Sequence, residues 1–210
     1  MSSSGLAPSN LAPFELAPWR SPLSRALHRN RAQPFCRFLQ LATLRSDGWP
    51  ANRTVVFRGF RAETNQLMFI CDRRSEKIDQ IQQNPKAEAC WYFTKTREQF
   101  RLRGQLIAIT ADTSTAILIE TRRQLWQKIS DKAQLQFVWP QPKAIRTEKS
   151  DFSPPPPDAQ TPPDTFCALL LVPEAVDYLS LRGEPQDRII YYLSGKKTAE
   201  SSWAYQTVNP

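Results

Sequence analysis

Apolar and polar positions alternate with a period of two over much of the chain after Phe35, the pattern of half-buried strands. Phe35 to Leu44 and Ala51 to Phe60 flank Ser46-Asp47-Gly48-Trp49-Pro50, whose Asp-Gly pair predicts a hairpin. Gln66 to Cys71 reads as a third strand. Ala87 to Thr94 and Gln99 to Ile109 form a second hairpin across Lys95 to Glu98, with Phe100 and Leu102 on one face and Arg101 and Arg103 on the other. Phe166 to Val172, Ala175 to Arg182, Arg188 to Leu193 and a short strand from Trp203 to Val208 complete the β pattern.

Helical spacing is confined to three places. Ser21 and Pro22 read as N-cap and first residue of a helix with Leu23, Ala26 and Leu27 inward. His28, Arg25, Arg29 and Arg31 occupy its wet side, and His28 is read as an exposed helix residue rather than a base. A second helix starts at Ser75, turns Ile78 and Ile81 inward and stops at Asn84-Pro85. The third covers Thr113 to Ile129, with Ile117, Leu118, Leu125, Trp126 and Ile129 near helical spacing. Residues 1–18 read as a loose arm. Residues 140–165, with Pro154 to Pro157 and Pro162-Pro163, read as a loop or polyproline II spacer that builds no core. Short strands in hairpins with a few helices predict a single α+β domain over 19–210, mainly β, built on a small antiparallel barrel.

Composition narrows the function. The net charge of +8 fits a phosphorylated cofactor, a nucleic acid or a solvated basic face alike. Neither G-x-G-x-x-G nor G-x-x-x-x-G-K-[ST] occurs. The four cysteines are far apart and His28 is the only histidine, which argues against a zinc site and against a Ser-His-Asp triad. The cysteines read as buried free thiols of a reducing cytosol, hence a cytoplasmic protein. The longest apolar run, Phe166 to Val172, is far short of the ~20 residues of a membrane span.

The candidate chemistry gathers between Asn52 and Lys77. Arg53, Arg58, Arg74, Ser75 and Lys77 sit on two strands and a helix start, a seat for a dianionic phosphate: guanidinium forks, a hydroxyl and free first-turn N–H groups. On one ideal strand Arg53 and Arg58 face opposite ways, so both can reach a ligand only if the strand bends.

This stretch resembles the pyridoxamine 5'-phosphate oxidase family, whose flavin-binding segment reads R-x-V-L-L-K, then F-Y-T-N-x-x-S-R-K. Here those places read Arg53-Thr54-Val55-Val56-Phe57-Arg58 and Phe69-Ile70-Cys71-Asp72-Arg73-Arg74-Ser75-Glu76-Lys77. The wording is closest to a branch of probable FMN-dependent proteins that reads R-T-V-V-F-R-G-F, then Q-F-x-W-P. The resemblance implies an FMN-binding split β-barrel, a homodimer with FMN at the interface and a small-molecule oxidoreductase; a non-catalytic FMN- or haem-binding barrel is the alternative, and a nucleic-acid module a remote one. It implies FMN contacts from Arg53 through Arg58, from Ile70 and Cys71 in the family's Tyr-Thr places, from Ser75 and Lys77, from Gln99, and from Arg188 of a closing Asp-Arg. Glu76 stands where the family has the arginine of S-R-K, which removes one phosphate cation, and Arg74 is a candidate replacement. The family's substrate-holding residues are also changed. Trp126 falls near a tyrosine, Ala133 near a serine, and Glu184-Pro185-Gln186 replaces R-L-H. Efficient oxidation of pyridoxamine 5'-phosphate is therefore not expected.

Overall fold

A computed structural model describes residues 16–194 and 202–210. Most of the expected N-terminal arm lies outside the described residues. At its end Ala17 is already buried, and its N–H donates to Asn65 Oδ1 at 3.0 Å. The first helix, α1 (Arg20–Arg29), starts earlier than its Ser-Pro signal. Trp19, fully buried, stands at the N-cap and its carbonyl accepts from Leu23, so Ser21 lies inside the first turn. Pro22 is tolerated there because first-turn N–H groups have no helical acceptor.

The strands are β1 (Phe38–Leu44), β2 (Pro50–Val56), β3 (Leu67–Asp72), β4 (Lys86–Phe93), β5 (Glu98–Ile109), β6 (Phe166–Ser180), β7 (Asp187–Ser194) and β8 (Ser202–Val208). They form one antiparallel sheet in the order β2-β1-β4-β5-β6-β7-β8, with β3 added to β6. The sheet curls without closing: this is the split β-barrel.

β6 is its spine. Two strands were expected here, broken at Pro173-Glu174, and one is found. β5 pairs along its whole length, while the other edge is shared between β3 (Phe166 to Leu171) and β7 (Ala175 to Ser180). The register shifts between Arg103 and Gly104, opposite Pro173. A β-bulge absorbs the irregularity, and Pro173, which has no N–H for the ladder, sits at it. Phe166, Ala168 and Leu170 pack one core, against Leu125, Trp126, Ile129 and Phe137. Cys167, Leu169 and Leu171 pack the other, with Leu39, Leu41, Trp91, Phe93 and Phe100. Burial on both faces explains why this segment reads as a continuous apolar run.

The helices are α2 (Glu76–Gln83), which starts after Ser75 with no side-chain cap, then α3 (Ala116–Gln127) and α4 (Asp131–Leu135). None of the described helices is long and apolar enough to cross a membrane.

The Pro-rich segment is not a free spacer. It builds no strand, but α3 and α4 hold its backbone. Arg122 Nη2 donates to Pro163 O at 2.6 Å, Trp126 Nε1 to Asp158 O at 2.9 Å and Gln134 Nε2 to Ala159 O at 3.4 Å. Polyproline backbone has no internal hydrogen bonds, so its carbonyls are available to neighbouring side chains. Deleting residues 153–163 would leave the buried Trp126 and Arg122 donors without these acceptors, at about 1–3 kcal/mol each. We expect the deletion to lower the melting temperature by roughly 4–12 °C. A scanning-calorimetry trace within a degree of the full chain would show that the segment is only a tether.

Candidate functional site

The chain bends at the end of β2. Phe57 N–H donates to Arg37 O, still on the β1 side, but Arg58 N–H donates to Met68 O of β3, and Met68 N–H returns to Gly59 O. Gly59 has φ +121°, a conformation that side chains oppose. This crossing from one strand partner to another removes the alternation that would have separated Arg53 from Arg58. Both line the same cleft.

The cleft has a volume of about 590 Å³. One wall is β2 and the bend after it, with Arg53, Thr54, Val55, Val56 and Arg58. The floor is Ile70, Cys71 and Asp72 of β3, with Lys77 from the first turn of α2. These are the residues expected from the strand–strand–helix motif. The opposite wall was not expected. It runs from Gln136 and Phe137 through Trp139 to Thr147 and includes Phe152. The Q-F-x-W-P wording around Trp139 was the only sequence signal for it. Thr165 Oγ1 donates to Phe137 O at 2.6 Å and Arg74 Nη2 to Trp139 O at 3.0 Å, which fasten this wall to the barrel.

The remaining expected contacts are placed elsewhere. Phe57 points into the core, 2% exposed, with Phe60 and Trp91 as ring neighbours. Ser75 does not line the cleft; its Oγ accepts from Lys77 Nζ at 2.6 Å and so steers that ammonium. Arg74 is no substitute for the missing phosphate cation. Asp72 holds it through both carboxylate oxygens, at 3.0 and 2.6 Å, because the turn into α2 folds residue 74 back over 72. Gln99 and Arg188 stand on the outer face of the sheet. Gln99 pairs with Leu179 and Leu179 with Arg188, so all three share that face, and neither Gln99 nor Arg188 lines the cleft. Asp177 grips Arg188 at 3.0 and 2.6 Å.

The electrostatics suit an anion. Burial pulls the Arg53 guanidinium below its ordinary value, opposed by the charge of Glu76. Burial does the same to Arg58, reinforced by the nearby Arg37 charge. Both are half-desolvated cations that a bound anion would favour. Arg53 is held rigid by Thr43 Oγ1 at 2.6 Å, Gln80 Oε1 at 3.0 Å and Leu41 O at 3.2 Å. Glu76 is neutralised by Lys143 of the far wall at 2.5 Å, and that contact draws its carboxyl below the usual range. Lys143 thus cancels the charge of Glu76 at the helix start. Two buried donors on lining residues, Arg58 Nε and Trp139 Nε1, have no protein acceptor among the described residues. A cationic cleft at a helix N-terminus with donors to spare fits a flavin phosphate and a polar ring edge.

Comparison with known proteins agrees. Residues 16–110 match the family model for the pyridoxamine 5'-phosphate oxidase FMN-binding domain. Over 194 residues, 92% of this chain and 97% of the relative, the sequence is 35% identical to pyridoxine/pyridoxamine 5'-phosphate oxidase 2 of Arabidopsis thaliana. The chain belongs to the pyridoxamine 5'-phosphate oxidase family. Its cofactor is FMN, as that domain defines. A pyridoxamine 5'-phosphate oxidase-related, FMN-binding protein of Nostoc punctiforme has the same fold, with a TM-score of 0.88, 51% identity, and coverage of 94% of this chain and all of that one. PhzG of Burkholderia lata, in complex with tetrahydrophenazine-1-carboxylic acid, superposes with a TM-score of 0.73 at 18% identity over both whole chains, a likeness of fold alone.

Proposed function

We propose that this protein is an FMN-dependent oxidoreductase acting on a small molecule, with a substrate pocket changed from that of its namesake family. The observation that carries the reading is the cleft itself, with Arg53, Arg58 and Lys77 converging from β2, the bend and α2 on one anion-sized space. Lys77, steered by Ser75, would pair the phosphate, with Lys143 cancelling Glu76 nearby; Arg53 would present a fixed guanidinium beside them. Thr54 to Val56 and Ile70-Cys71 would flank the ring, partly through main chain, with the Arg58 and Trp139 donors at its edge. When bound, FMN supplies two-electron redox chemistry that no side chain here provides. FMN should be preferred to FAD, whose phosphate is esterified and has lost its terminal charge. The test is the absorbance spectrum of freshly purified protein, with identification of the released chromophore and anaerobic bleaching by a candidate donor. A colourless protein that does not take up FMN would remove the proposal; a yellow one that no donor bleaches would favour the non-catalytic alternative.

A homodimer accounts for Gln99 and Arg188. They lie on the outer sheet face, so they contact flavin only if a second copy brings its cleft to them. That face also carries exposed Tyr92, in the same register row as Gln99 and Arg188, and exposed Tyr192, two rows along the face. We expect dimers at micromolar concentration, and Arg188→Ala to weaken both FMN binding and assembly. Flavin-loaded monomers in sedimentation would refute this.

The substrate reading rests on α3 and α4. Trp126, near the family's tyrosine, is fully buried and donates to Asp158 O, so it is committed to the core. Ala133 does line the cleft but offers no hydroxyl. Turnover of pyridoxine or pyridoxamine 5'-phosphate is expected to be poor in steady-state assay, and rates like those of the named oxidases would overturn the altered-pocket reading. A single domain over 19–210 and a cytoplasmic setting complete the proposal.

A further inference from the structure

The floor of the cleft holds a feature that flavin binding does not require. Cys71 and Cys167 are direct cross-strand partners in the β3–β6 ladder. Opposed residues of an antiparallel pair have Cα atoms about 4.5–5.5 Å apart and side chains on one face. That lies inside the roughly 4.4–6.8 Å range a disulfide spans. Both thiols are free, and both belong to the same core cluster. Cys71 lines the cleft, whereas Cys167, beside it on β6, does not and is fully buried. The other two cysteines, Cys36 and Cys90, are not among the lining residues.

We infer that Cys71 and Cys167 form a redox-active dithiol that exchanges two electrons with the FMN seated against β3, an inference that rests on the flavin reading of the cleft. The surroundings divide the pair into a donor and an acceptor of one proton. A hydrogen bond to Cys167 and burial push the Cys71 thiol up. Cys167 is drawn down by its pairing with Cys71, against the opposite pull of its own burial, with smaller help from the Ile109 N–H and the charges of Arg122 and Lys77. When protonated, its Sγ has the Ala168 carbonyl 3.3 Å away as an acceptor. Thiolates favoured by nearby cations are the reactive ones, and here the second thiol is the direct cross-strand neighbour.

Bound FMN would be the two-electron acceptor, and dioxygen the terminal oxidant. The Cys167 thiolate and the Cys71 thiol join through a new S–S bond, and the Cys71 S–H bond breaks. Two electrons and one proton leave the pair for oxidised FMN, which becomes reduced. Dioxygen then takes the electrons and, with a second proton, leaves as hydrogen peroxide. Run backwards from reduced FMN, the same exchange reopens the disulfide. Cys167 is shielded from solvent and Cys71 opens only onto the cleft, so a flavin bound there is placed to exchange electrons with the pair.

The test uses FMN-loaded protein held in air, then denatured, alkylated and mapped without reduction by peptide mass spectrometry. A Cys71–Cys167 cross-linked peptide is expected, with Cys36 and Cys90 alkylated. Flavin-free protein treated identically should show all four thiols alkylated. In anaerobic dithionite titration the oxidised holoprotein should consume about twice the reducing equivalents per flavin that Cys167→Ser does. Cys167→Ala serves as a second variant, because residue 167 does not line the cleft and its loss should spare FMN binding. Equal titrations of wild type and both variants would overturn the inference, as would a cross-link that forms equally without flavin. Those results leave the flavin band in place, whereas protein that binds no FMN would remove the functional reading itself.

Discussion

Replacing Gly104 by alanine is expected to leave little folded protein at physiological temperature. A Cβ built at residue 104 would lie 2.0 Å from the carbonyl oxygen of Val172, 2.8 Å from its carbonyl carbon and 2.9 Å from Cα of Pro173. All three are backbone atoms of β6, so no rotamer change relieves them. The clash sits at the bulge where β6 passes from its β3-paired half to its β7-paired half. Moving β6 there disturbs both cores at once, since its alternate side chains fill both. Overpacking that side chains can absorb costs about 1–3 kcal/mol. A backbone collision at the sheet's spine belongs with the exceptional cases above ~4 kcal/mol. Gly48→Ala is the matched control. Gly48 has φ +84° with nothing within 4 Å of its added Cβ, so only conformational strain of about 1–2 kcal/mol applies. Thermal unfolding of the two variants, with the soluble fraction on expression, makes the comparison. A Gly104→Ala protein as stable as Gly48→Ala would mean that the strand crossing is looser than described.

Lys77→Ala is expected to weaken FMN binding by about 1–3 kcal/mol, the worth of a charge-assisted hydrogen bond, which is roughly 5- to 150-fold in Kd. Lys143→Ala should cost less. Its ion pair with Glu76 is exposed, 70% and 41% on the two side chains, and exposed pairs contribute little by themselves. The informative variant is Glu76→Gln. It removes a negative charge from the helix start and releases Lys143 to the phosphate, so FMN should bind a few-fold more tightly. Combining Glu76→Gln with Lys143→Ala should erase that gain, a non-additivity that marks the two as one unit. Flavin fluorescence titrations at low and high salt provide the measurement, because screening weakens the exposed cations first. Unchanged Kd in Lys77→Ala would take the phosphate away from α2, and additive effects of Glu76 and Lys143 would remove the compensation.

Much of the molecule was legible in the chain before any coordinates. Alternation located the strands because one face of a sheet is buried and the other is not, and side chains change face at each residue. Phe100 and Leu102 against Arg101 and Arg103 came out as read, buried and exposed in turn. The helix at Ser75 and the cationic identity of the site were also plain, being local matters of capping and charge. What the chain by itself did not determine depends on contacts between residues far apart in sequence. Arg53 and Arg58 share a cleft because Arg58 exchanges its strand partner for Met68, which no periodicity records. β6 reads as two strands because a proline interrupts it, and it is one strand because Gly104 on another strand leaves room. The part of the far wall beyond residue 140 looked like spacer because its own residues make no regular pattern. The wall is fixed by Arg74, Glu76 and Thr165, donors and charges supplied from outside the segment. Periodicity reports which face of an element is buried. Which distant backbone approaches that face, and which charge is already spent on a neighbour, is decided only when the chain closes on itself.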